Sequence, residues 1–412
     1  MKFHHTIRRL TAAALALGML LSLAACSSGS ARAGNLLEGI TPVSVQGKAF
    51  DRTFASSQYA FAAGLFRENY ENGKNCMISP LSVTLALAMT ANGASGQTLS
   101  QMLEVIGGGM PLSDLNAYLY EYAKNLPSGD KAKLAIADSI WLNDRADFTV
   151  NNDYLADCAG WYDAAIYKLP FDDAAVGEIN SWVAKNTDSM IKKIVESIGP
   201  NDEMMLLNAI CFDAKWLISF SKTKEATFAA AGGGKEKVSM MYASESSYLE
   251  GDGYTGFSKP YAEGYRFIGI LPDENDSLES LIAGLDGNKL SDMVNGAVQA
   301  DVNIGLPEFK SEYGTSLIPA LEKLGMSDAF SGAADFSRMS SEDLYVSGVE
   351  HRTFIEVTKS GTRAAAVTGV TMAGKSIALE PKEVILDRPF LYMIVDNENG
   401  LPIFIGAVNS VK

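Results

Sequence analysis

The second half of the chain contains strand-like segments that are apolar at nearly every position, and this pattern limits the folds available to it. Residues 204–212, 265–271 and 403–408 are the clearest examples. A strand that is apolar on both sides must be covered on both faces of its sheet. The 412-residue chain contains no linker or internal repeat after residue 50, so the covering layers have to come from the same domain.

The first third supplies such layers, because its apolar residues recur at helical spacing. Phe54, Phe61 and Leu65 would line one helix face. Ser79 is a typical N-cap, and Pro80 suits the first helical turn. Further helices are predicted at 99–106, 112–126, 150–160, 176–195 and 315–324, and further strands at 133–142, 238–242, 298–306, 344–358 and 391–395. Helices first and strands later indicate an α+β domain.

Charge and composition exclude nucleic acid as a partner. The formal net charge is −15, and an acidic surface repels phosphate backbones. Hydrophobic residues make up 47% of the chain and charged residues 20%, so a large core can form.

The N-terminus has the pattern of a bacterial export signal. Residues 1–25 carry a basic start followed by an apolar run that is too short for a permanent span. The run closes in Leu-Ala-Ala before Cys26, which resembles the box in which a bacterial lipoprotein cysteine is lipidated. We therefore predict a signal peptide at 1–25, a lipid-anchored flexible tether at 26–49, and an extracellular, cell-surface lipoprotein. The alternative is an ordinary signal peptide with an incidental cysteine.

Residues for catalysis or metal binding are scarce. Of three histidines, only His351 lies outside the predicted signal peptide, and the chain has no Gly-x-Ser-x-Gly elbow. We expect no enzyme activity, no cofactor and no metal; a hydrolase built around His351 is the remaining enzymatic alternative. The glycines at 251, 253 and 256 match a dinucleotide pattern, but the Pro that follows favours a turn. The spacing of Cys76, Cys158 and Cys211 suits neither a disulfide framework nor a zinc site.

Several motifs, in order, resemble the serpin family. Residues 75–83 (NCMISPLSV) are similar to its second-helix motif, and 207–210 (LNAI) to its central-sheet signature. Residues 388–390 (RPF) and 404–406 (FIG) are similar to its C-terminal block. The resemblance implies a monomeric α+β serpin domain at 50–412, with helices packed around three β-sheets and an exposed reactive-centre loop at about 359–380.

The resemblance also assigns a role to the lone histidine. Four residues match a polar cluster that the family places beneath the central sheet, where its strands part: Ser79, Ser82, Asn208 and His351. In that role His351 would be a buried, hydrogen-bonded side chain and not a catalyst.

The segment after residue 360 has the properties of a strand that could be added to a sheet. It contains no Pro before residue 381, so every main-chain N–H is available. The predicted loop hinge consists of Gly361, Thr362, Arg363, Ala364, Ala365, Ala366, Val367 and Thr368. Apart from Arg363 its side chains are small, and in a strand Arg363 would lie on the face opposite Thr362. This predicted loop hinge favours an inhibitory serpin. The alternative is a non-inhibitory serpin that acts as a cell-surface binding protein.

Charge at the start of the loop departs from the family. Inhibitory members usually have Glu where this chain has Lys359, and a Lys on the neighbouring strand where it has Glu308. We predict that Glu308 and Lys359 form an inverted ion pair that guides the loop into the sheet. Two unrelated surface charges are the alternative.

The resemblance also implies a reactive bond: the family's usual loop length, counted from Gly361, places the attacked carbonyl on Lys375, so the bond would join Lys375 and Ser376. A lysine there suits proteases with an acidic specificity pocket, the trypsin type. Met372, Gly374 and Ser376 remain possible attack positions, because loop length varies. The predicted function is irreversible suicide inhibition of a trypsin-like serine protease by loop cleavage and insertion.

Overall fold

Helices in the first third begin at residues that can cap them. The structure is a computed structural model that describes residues 33–145, 148–162, 165–199, 201–362 and 380–412. The Ser79 hydroxyl accepts a hydrogen bond from the Ser82 N–H at 3.4 Å, so the predicted cap is confirmed. The preceding helix starts after Asp51, whose carboxylate accepts from the Phe54 N–H at 3.0 Å.

The helices of the described residues are α1 Arg52–Asn69, α2 Pro80–Ala91, α3 Gly96–Gly107, α4 Leu112–Lys124, α5 Asn152–Trp161, α6 Asp173–Asn186, α7 Leu278–Ala283, α8 Gly287–Asn295 and α9 Ile318–Lys323. The strands are β1 Gly34–Asn35, β2 Cys76–Ile78, β3 Ala132–Asn143, β4 Ala165–Leu169, β5 Met204–Lys215, β6 Lys222–Ala229, β7 Lys235–Gly251, β8 Tyr254–Pro260, β9 Tyr265–Pro272, β10 Val298–Pro307, β11 Phe309–Ser316, β12 Val346–Thr358, β13 Gly361–Thr362, β14 Lys382–Ile385, β15 Phe390–Asp396 and β16 Pro402–Val408.

The first sheet contains the strands β4, β3, β5, β13, β12 and β11 side by side in that order. Most neighbours are antiparallel, but β3 is parallel to β4, and β5 is parallel to β12. Strands β5 and β12 pair directly from Met204 and Val346 to Cys211 and Phe354. Beyond that point the two-residue strand β13 lies between them, antiparallel to both. The sheet is therefore closed over most of its length and separated at one end.

The second and third sheets expected from the family are joined through one strand. The long strand β7 pairs with β6 and β10 along most of its length, and its last residues pair with β8. The hydrogen-bonded path continues through β9, β15 and β16 to β2. The glycines of the supposed dinucleotide pattern lie at the hairpin between β7 and β8, where Gly253 has φ +80°, so the turn prediction is confirmed.

Part of the predicted tether is bound to the domain. The Leu36 N–H donates to the Ile166 carbonyl at 2.7 Å, and the Lys48 N–H to the Ala117 carbonyl at 3.0 Å. Leu36, Leu37 and Ile40 also pack against the core. Burial of these apolar side chains explains why the segment follows the domain surface, which the polar composition of 26–49 does not indicate. Residues 26–32 lie outside the described part of the chain.

Other differences have local causes. The helix predicted at 176–195 ends at Asn186, because Asp188 and Ser189 adopt positive φ angles of 49° and 60°. Strand β6 was not predicted, since most of its side chains are exposed and it shows no apolar alternation. None of the helices in the described ranges is long and apolar enough to cross a membrane.

Candidate functional site

The first residues of the predicted loop already form part of the first sheet. Thr362 pairs with Val357 of β12 on one side and with Ala214 of β5 on the other. Gly361 pairs with Thr358 and Lys215 in the same way. We call this position of Gly361–Thr362, between the separated ends of β5 and β12, the loop seat.

Thr362 is held on its inner side by an aromatic pair. Its side chain is fully buried, and its hydroxyl lies 2.6 Å from the Tyr261 hydroxyl. The Tyr261 ring stacks on Trp216 at a centroid distance of 4.3 Å. The Trp216 indole N–H donates to the Thr358 carbonyl at 2.9 Å, and its main-chain N–H to Ser360 at 3.1 Å. The aromatic pair therefore contacts both β12 and the loop.

Residue 361 must be glycine because the main chain of β5 lies so close to the loop seat. Its φ is +156°, a conformation that side chains of L-residues rarely adopt. A Cβ atom there would lie 2.1 Å from the Ala214 carbonyl oxygen, a main-chain atom of β5. Only glycine allows the main chain to pass this close to the strand.

A buried lysine supports the segment beside the seat. The Lys259 ammonium, only 1% exposed, contacts the Glu245 carboxylate at 2.5 Å and donates to the Ile218 carbonyl at 2.9 Å. Burial lowers the pKa of Lys259, while Glu245 opposes that shift. The anchored segment ends at Phe220, whose N–H donates to the Lys359 carbonyl at 3.1 Å. Lys259 and Phe220 therefore connect the core to the base of the loop through hydrogen bonds.

Glu308 and Lys359 are in contact, but not through both side chains. The Glu308 carboxylate accepts a hydrogen bond from the main-chain N–H of Lys359 at 3.2 Å. The ion pairs of the described residues include none between these two side chains within 4.0 Å. The contact differs from the predicted ion pair, because it depends on an acceptor at Glu308 and not on the charge of residue 359.

Below the seat, three strands carry polar side chains at one level. The register places Asp138 of β3 opposite Asn208 of β5, and Asn208 opposite His351 of β12. We call these three residues the polar row. Asn208 is hydrogen-bonded to both neighbours, through Nδ2 to Asp138 and through Oδ1 to the Nδ1 of His351.

Helix α2 completes the polar row from beneath. The Ser79 N–H donates to His351 Nε2 at 3.1 Å, and the Ser82 hydroxyl donates to Asp138 Oδ1 at 3.1 Å. The Asn208 amide nitrogen also donates to Ser82. The structure thus brings together Ser79, Ser82, Asn208 and His351, the four residues of the predicted cluster, and all are fully buried.

These contacts fix the state of the histidine. Because Nε2 accepts from Ser79, the proton must reside on Nδ1, which then donates to Asn208. Burial lowers the pKa of His351 to about 3, so the ring is neutral at ordinary pH. A neutral imidazole whose two nitrogens are occupied by the Ser79 N–H and the Asn208 amide oxygen fits the predicted structural role.

Asp138 is the member of this site that the sequence analysis missed. Burial raises the pKa of Asp138 from its ordinary value of 3.8 to about 8, although bonds from Ser82 and Asn208 oppose the shift. The sequence signal that could have drawn attention to it is an acidic residue within the mostly apolar predicted strand 133–142, since a buried acid needs a polar environment.

The remaining predicted site residues lie outside the described part of the chain. These are Cys26, the hinge residues Arg363, Ala364, Ala365, Ala366, Val367 and Thr368, and the predicted reactive bond between Lys375 and Ser376. Clusters of side chains that could hold a metal ion are absent from the residues that are described.

Comparison with known proteins identifies the family. The sequence model of the family described as Serpin (serine protease inhibitor) matches residues 56–411. The chain is a serpin. It is 31% identical to a serpin-like protein of Thermococcus kodakarensis, over 86% of this chain and 84% of that protein. It is also 31% identical to Serpin B6 of Macaca fascicularis, over 86% and 99% of the two chains.

Among solved structures, this serpin is similar to the thermophilic serpin tengpin at 43% identity. The match to tengpin in its native state has a TM-score of 0.88 and covers 92% of this chain and 99% of that one. The match to tengpin in its latent state has a TM-score of 0.78 and covers 89% and 100%. Membership confirms the α+β serpin fold. It supports protease inhibition as the general function, since serpins are generally inhibitors and not catalysts.

The loop seat predicts that Gly361→Ala displaces the loop base, because the new methyl group would overlap the Ala214 carbonyl. We expect the Trp216 amide to lose protection from hydrogen exchange, since its partner is the Ser360 carbonyl. Gly332→Ala is the matched control, because no atom lies within 4 Å of that added methyl. Unchanged Trp216 protection in Gly361→Ala would contradict the seat geometry.

The polar row predicts how stability depends on pH. The folded-state pKa of Asp138 is raised, so its contribution is fully present below the unfolded value near 3.8 and is lost as pH rises toward about 8. The pKa of His351 is lowered, so its contribution is lost as pH falls from 6.5 toward about 3. Between about pH 6.5 and 8 only the Asp138 effect operates, and stability falls with rising pH.

Asp138→Asn should remove that fall, because the amide keeps the acceptor for Ser82 and Asn208 without the buried charge. We expect thermal unfolding to show Tm raised by at least about 3 °C at pH 8, with the difference shrinking toward pH 4. An equal difference at both pH values would argue against titration of Asp138.

The contact at Glu308 predicts different results for two substitutions. Glu308→Ala removes the acceptor for the Lys359 N–H and should cost about 0.5–1.5 kcal/mol of stability at the loop base. Glu308→Gln keeps an acceptor oxygen and should behave as wild type. Hydrogen exchange of the Lys359 amide measures both. If the side-chain charges mattered instead, Gln would resemble Ala, and Glu308→Lys combined with Lys359→Glu would restore protection.

Proposed function

We propose that this serpin is an irreversible suicide inhibitor of trypsin-like serine proteases, cleaved at or near the bond between Lys375 and Ser376. After the protease forms an acyl-enzyme with the loop, the cleaved segment inserts between β5 and β12 and carries the protease with it. The observation that supports this most strongly is the loop seat, because the insertion has its first two residues already paired with both strands.

The strand register supports an insertion of the right length. Thr362 pairs with Val357, so a strand continued without interruption would place Ala373 opposite Val346, where β12 begins. Lys375 would then lie two residues beyond the sheet. Residues 363–375 would span about 44 Å at roughly 3.4 Å per residue, enough to cross the domain.

The alternation of side chains along the loop also supports its insertion into the sheet. Thr362 points into the core, so Ala364, Ala366 and Thr368 would share its inner face. These side chains are small enough for a crowded interior. The same register would bring Thr368 opposite His351, where its hydroxyl could hydrogen-bond to the polar row.

The directly paired part of β5 and β12 would provide the kinetic barrier to insertion of the loop. Insertion must separate the parallel pairs between β5 and β12, including the hydrogen bond from His351 to Asn208. The Asn208 contacts with Asp138 and Ser82 lie on the other side of the opening and can persist. New ladder hydrogen bonds along both edges of the inserted strand offset this cost, so the uncleaved form is kinetically trapped.

We also propose that the protein acts outside a bacterial cell, attached through lipidated Cys26. The support is the sequence pattern at the end of the apolar N-terminal run. A lipid anchor would hold the inhibitor at the surface as a monomer, without a membrane-spanning helix.

Incubation of the mature protein with trypsin tests the mechanism and the bond together. We expect a covalent complex that resists boiling in detergent, and a released C-terminal fragment that starts at Ser376 by mass spectrometry. Lys375→Glu should slow complex formation at least about 100-fold, because an acidic pocket rejects a carboxylate. Lys382→Glu is the charge control, since Lys382 is exposed on β14 beyond the loop.

Two outcomes would contradict the proposal. Cleavage in the loop without a covalent complex, and without a rise in Tm of the cleaved protein, would favour a non-inhibitory serpin acting as a binding protein. A complex with an unchanged rate in Lys375→Glu would leave inhibition standing but exclude Lys375 as the attacked residue.

A further inference from the structure

Two large apolar side chains are exposed side by side at the end of the domain where the loop leaves the sheet. Leu217 is 58% exposed and Ile218 is 52% exposed. The other large apolar side chains exposed in the described ranges, Val43 and Val298, lie in separate segments. Single exposed apolar residues need no explanation, but an adjacent pair next to a functional segment can mark a binding surface. We call Leu217 and Ile218 the apolar pair.

The main chain of the apolar pair is fixed, although about half of each side chain is exposed. The Leu217 N–H donates to the Pro260 carbonyl at 3.1 Å. The Ile218 carbonyl accepts from the buried Lys259 ammonium at 2.9 Å. Because these hydrogen bonds order the segment before any partner arrives, a partner that covered the two side chains would lose little affinity to the cost of ordering them.

The same segment holds the loop base on both sides of the apolar pair. Before the pair, the Trp216 N–H donates to the Ser360 carbonyl at 3.1 Å. After it, the Phe220 N–H donates to the Lys359 carbonyl at 3.1 Å. The two exposed side chains therefore lie between two residues that contact the loop base, and the position of this surface relative to the base of the loop is fixed.

A protease that attacked the loop would be large enough to touch this surface. Lys375 is 13 residues after Thr362 and seven before Lys382, so the chain allows it to lie at most about 44 Å and about 24 Å from these two residues. A globular domain of about 200 residues has a radius of gyration of about 16 Å, and hence a diameter of about 40 Å. The width of a protease domain is therefore similar to the whole reach of the loop.

We propose that the apolar pair is a second contact for the attacking protease, which buries Leu217 and Ile218 against an apolar patch beside its active-site cleft. This role rests on the proposed function, because the partner is the protease that cleaves the loop. Burial of the two side chains would strengthen the first, non-covalent complex without changing which bond is cleaved. The pair would thus favour proteases that carry such a patch over other proteases with the same specificity pocket.

Isothermal titration of the mature protein with inactive trypsin, in which alanine replaces the nucleophilic serine, measures this complex without cleavage or insertion. Leu217→Gln combined with Ile218→Thr should raise Kd by about tenfold or more, because two apolar side chains would no longer be buried on binding. Val298→Thr is the matched control and should leave Kd unchanged. Val298 is 56% exposed, but it lies at the opposite end of β10 from Glu308 and the loop base.

A conservative double variant separates apolar contact from effects on folding. Leu217→Met combined with Ile218→Val keeps the apolar surface, so its Kd should stay within about threefold of the wild-type value. Hydrogen exchange of the Trp216 and Phe220 amides should be unchanged in both double variants, because their partners are main-chain carbonyls of the loop base. Lys375→Glu should weaken binding separately, and its effect should add to that of the apolar-pair substitutions.

Equal binding of inactive trypsin by wild type and by the Leu217→Gln, Ile218→Thr variant would overturn this proposal and leave the loop mechanism standing. An equal loss in Val298→Thr would also overturn it, because the effect would not be local. So would a wild-type dimer in sedimentation that the double variant converts to a monomer, since the partner would then be a second copy of the chain. Absence of binding by wild type would overturn both proposals. Binding that depends on the apolar pair, without a covalent complex with active trypsin, would support the contact and contradict suicide inhibition.

Discussion

The structure depends on the parallel pairing of β5 and β12 being complete below the loop seat and absent at it. Where the strands separate, Gly361–Thr362 satisfies the main-chain groups of both edges. Where they pair, Asn208 and His351 add a buried side-chain bond between the same two strands. One sheet therefore contains the two-residue strand β13 at its separated end and directly paired strands β5 and β12 below it.

The polar row fixes the register of the closed part of the sheet. A buried network that is satisfied in one register strongly disfavours small shifts of the strands, since each displaced donor or acceptor would be left unpaired. Asn208 is central because its amide has a donor for Asp138 and an acceptor for His351. If the strands separated at His351, Asn208 would lose its hydrogen bond to His351 and keep the one to Asp138. In the proposed insertion, opening of the sheet at this level would exchange a few buried hydrogen bonds and leave the core packed.

The loop base is connected to the interior by a different chemistry. Lys259 is nearly fully buried, yet it has a carboxylate, a carbonyl and the Phe220 ring around it, with the ring centroid 4.6 Å from its ammonium. The segment it holds then contacts Lys359 and Ser360 through main-chain hydrogen bonds. These contacts use main-chain atoms of the loop base, so they do not depend on which side chain stands at residue 359.

The class of fold and the family were predicted from the sequence alone, because the ordered motifs that carry the resemblance are local stretches of chain. The same resemblance pointed to Ser79, Ser82, Asn208 and His351, which hydrogen bonds connect in the structure. Ser79 capping α2 and the turn at Gly253 are determined within a few residues of chain. Asp138 could not be assigned from spacing, since its importance arises only when β3 lies beside β5 and Asn208 approaches it. The same holds for Tyr261, which is 101 residues away from the Thr362 hydroxyl that it contacts. The contact of Glu308 with a main-chain N–H and the path of residues 35–49 also required the tertiary structure, because contacts between distant segments are decided by packing and not by local pattern.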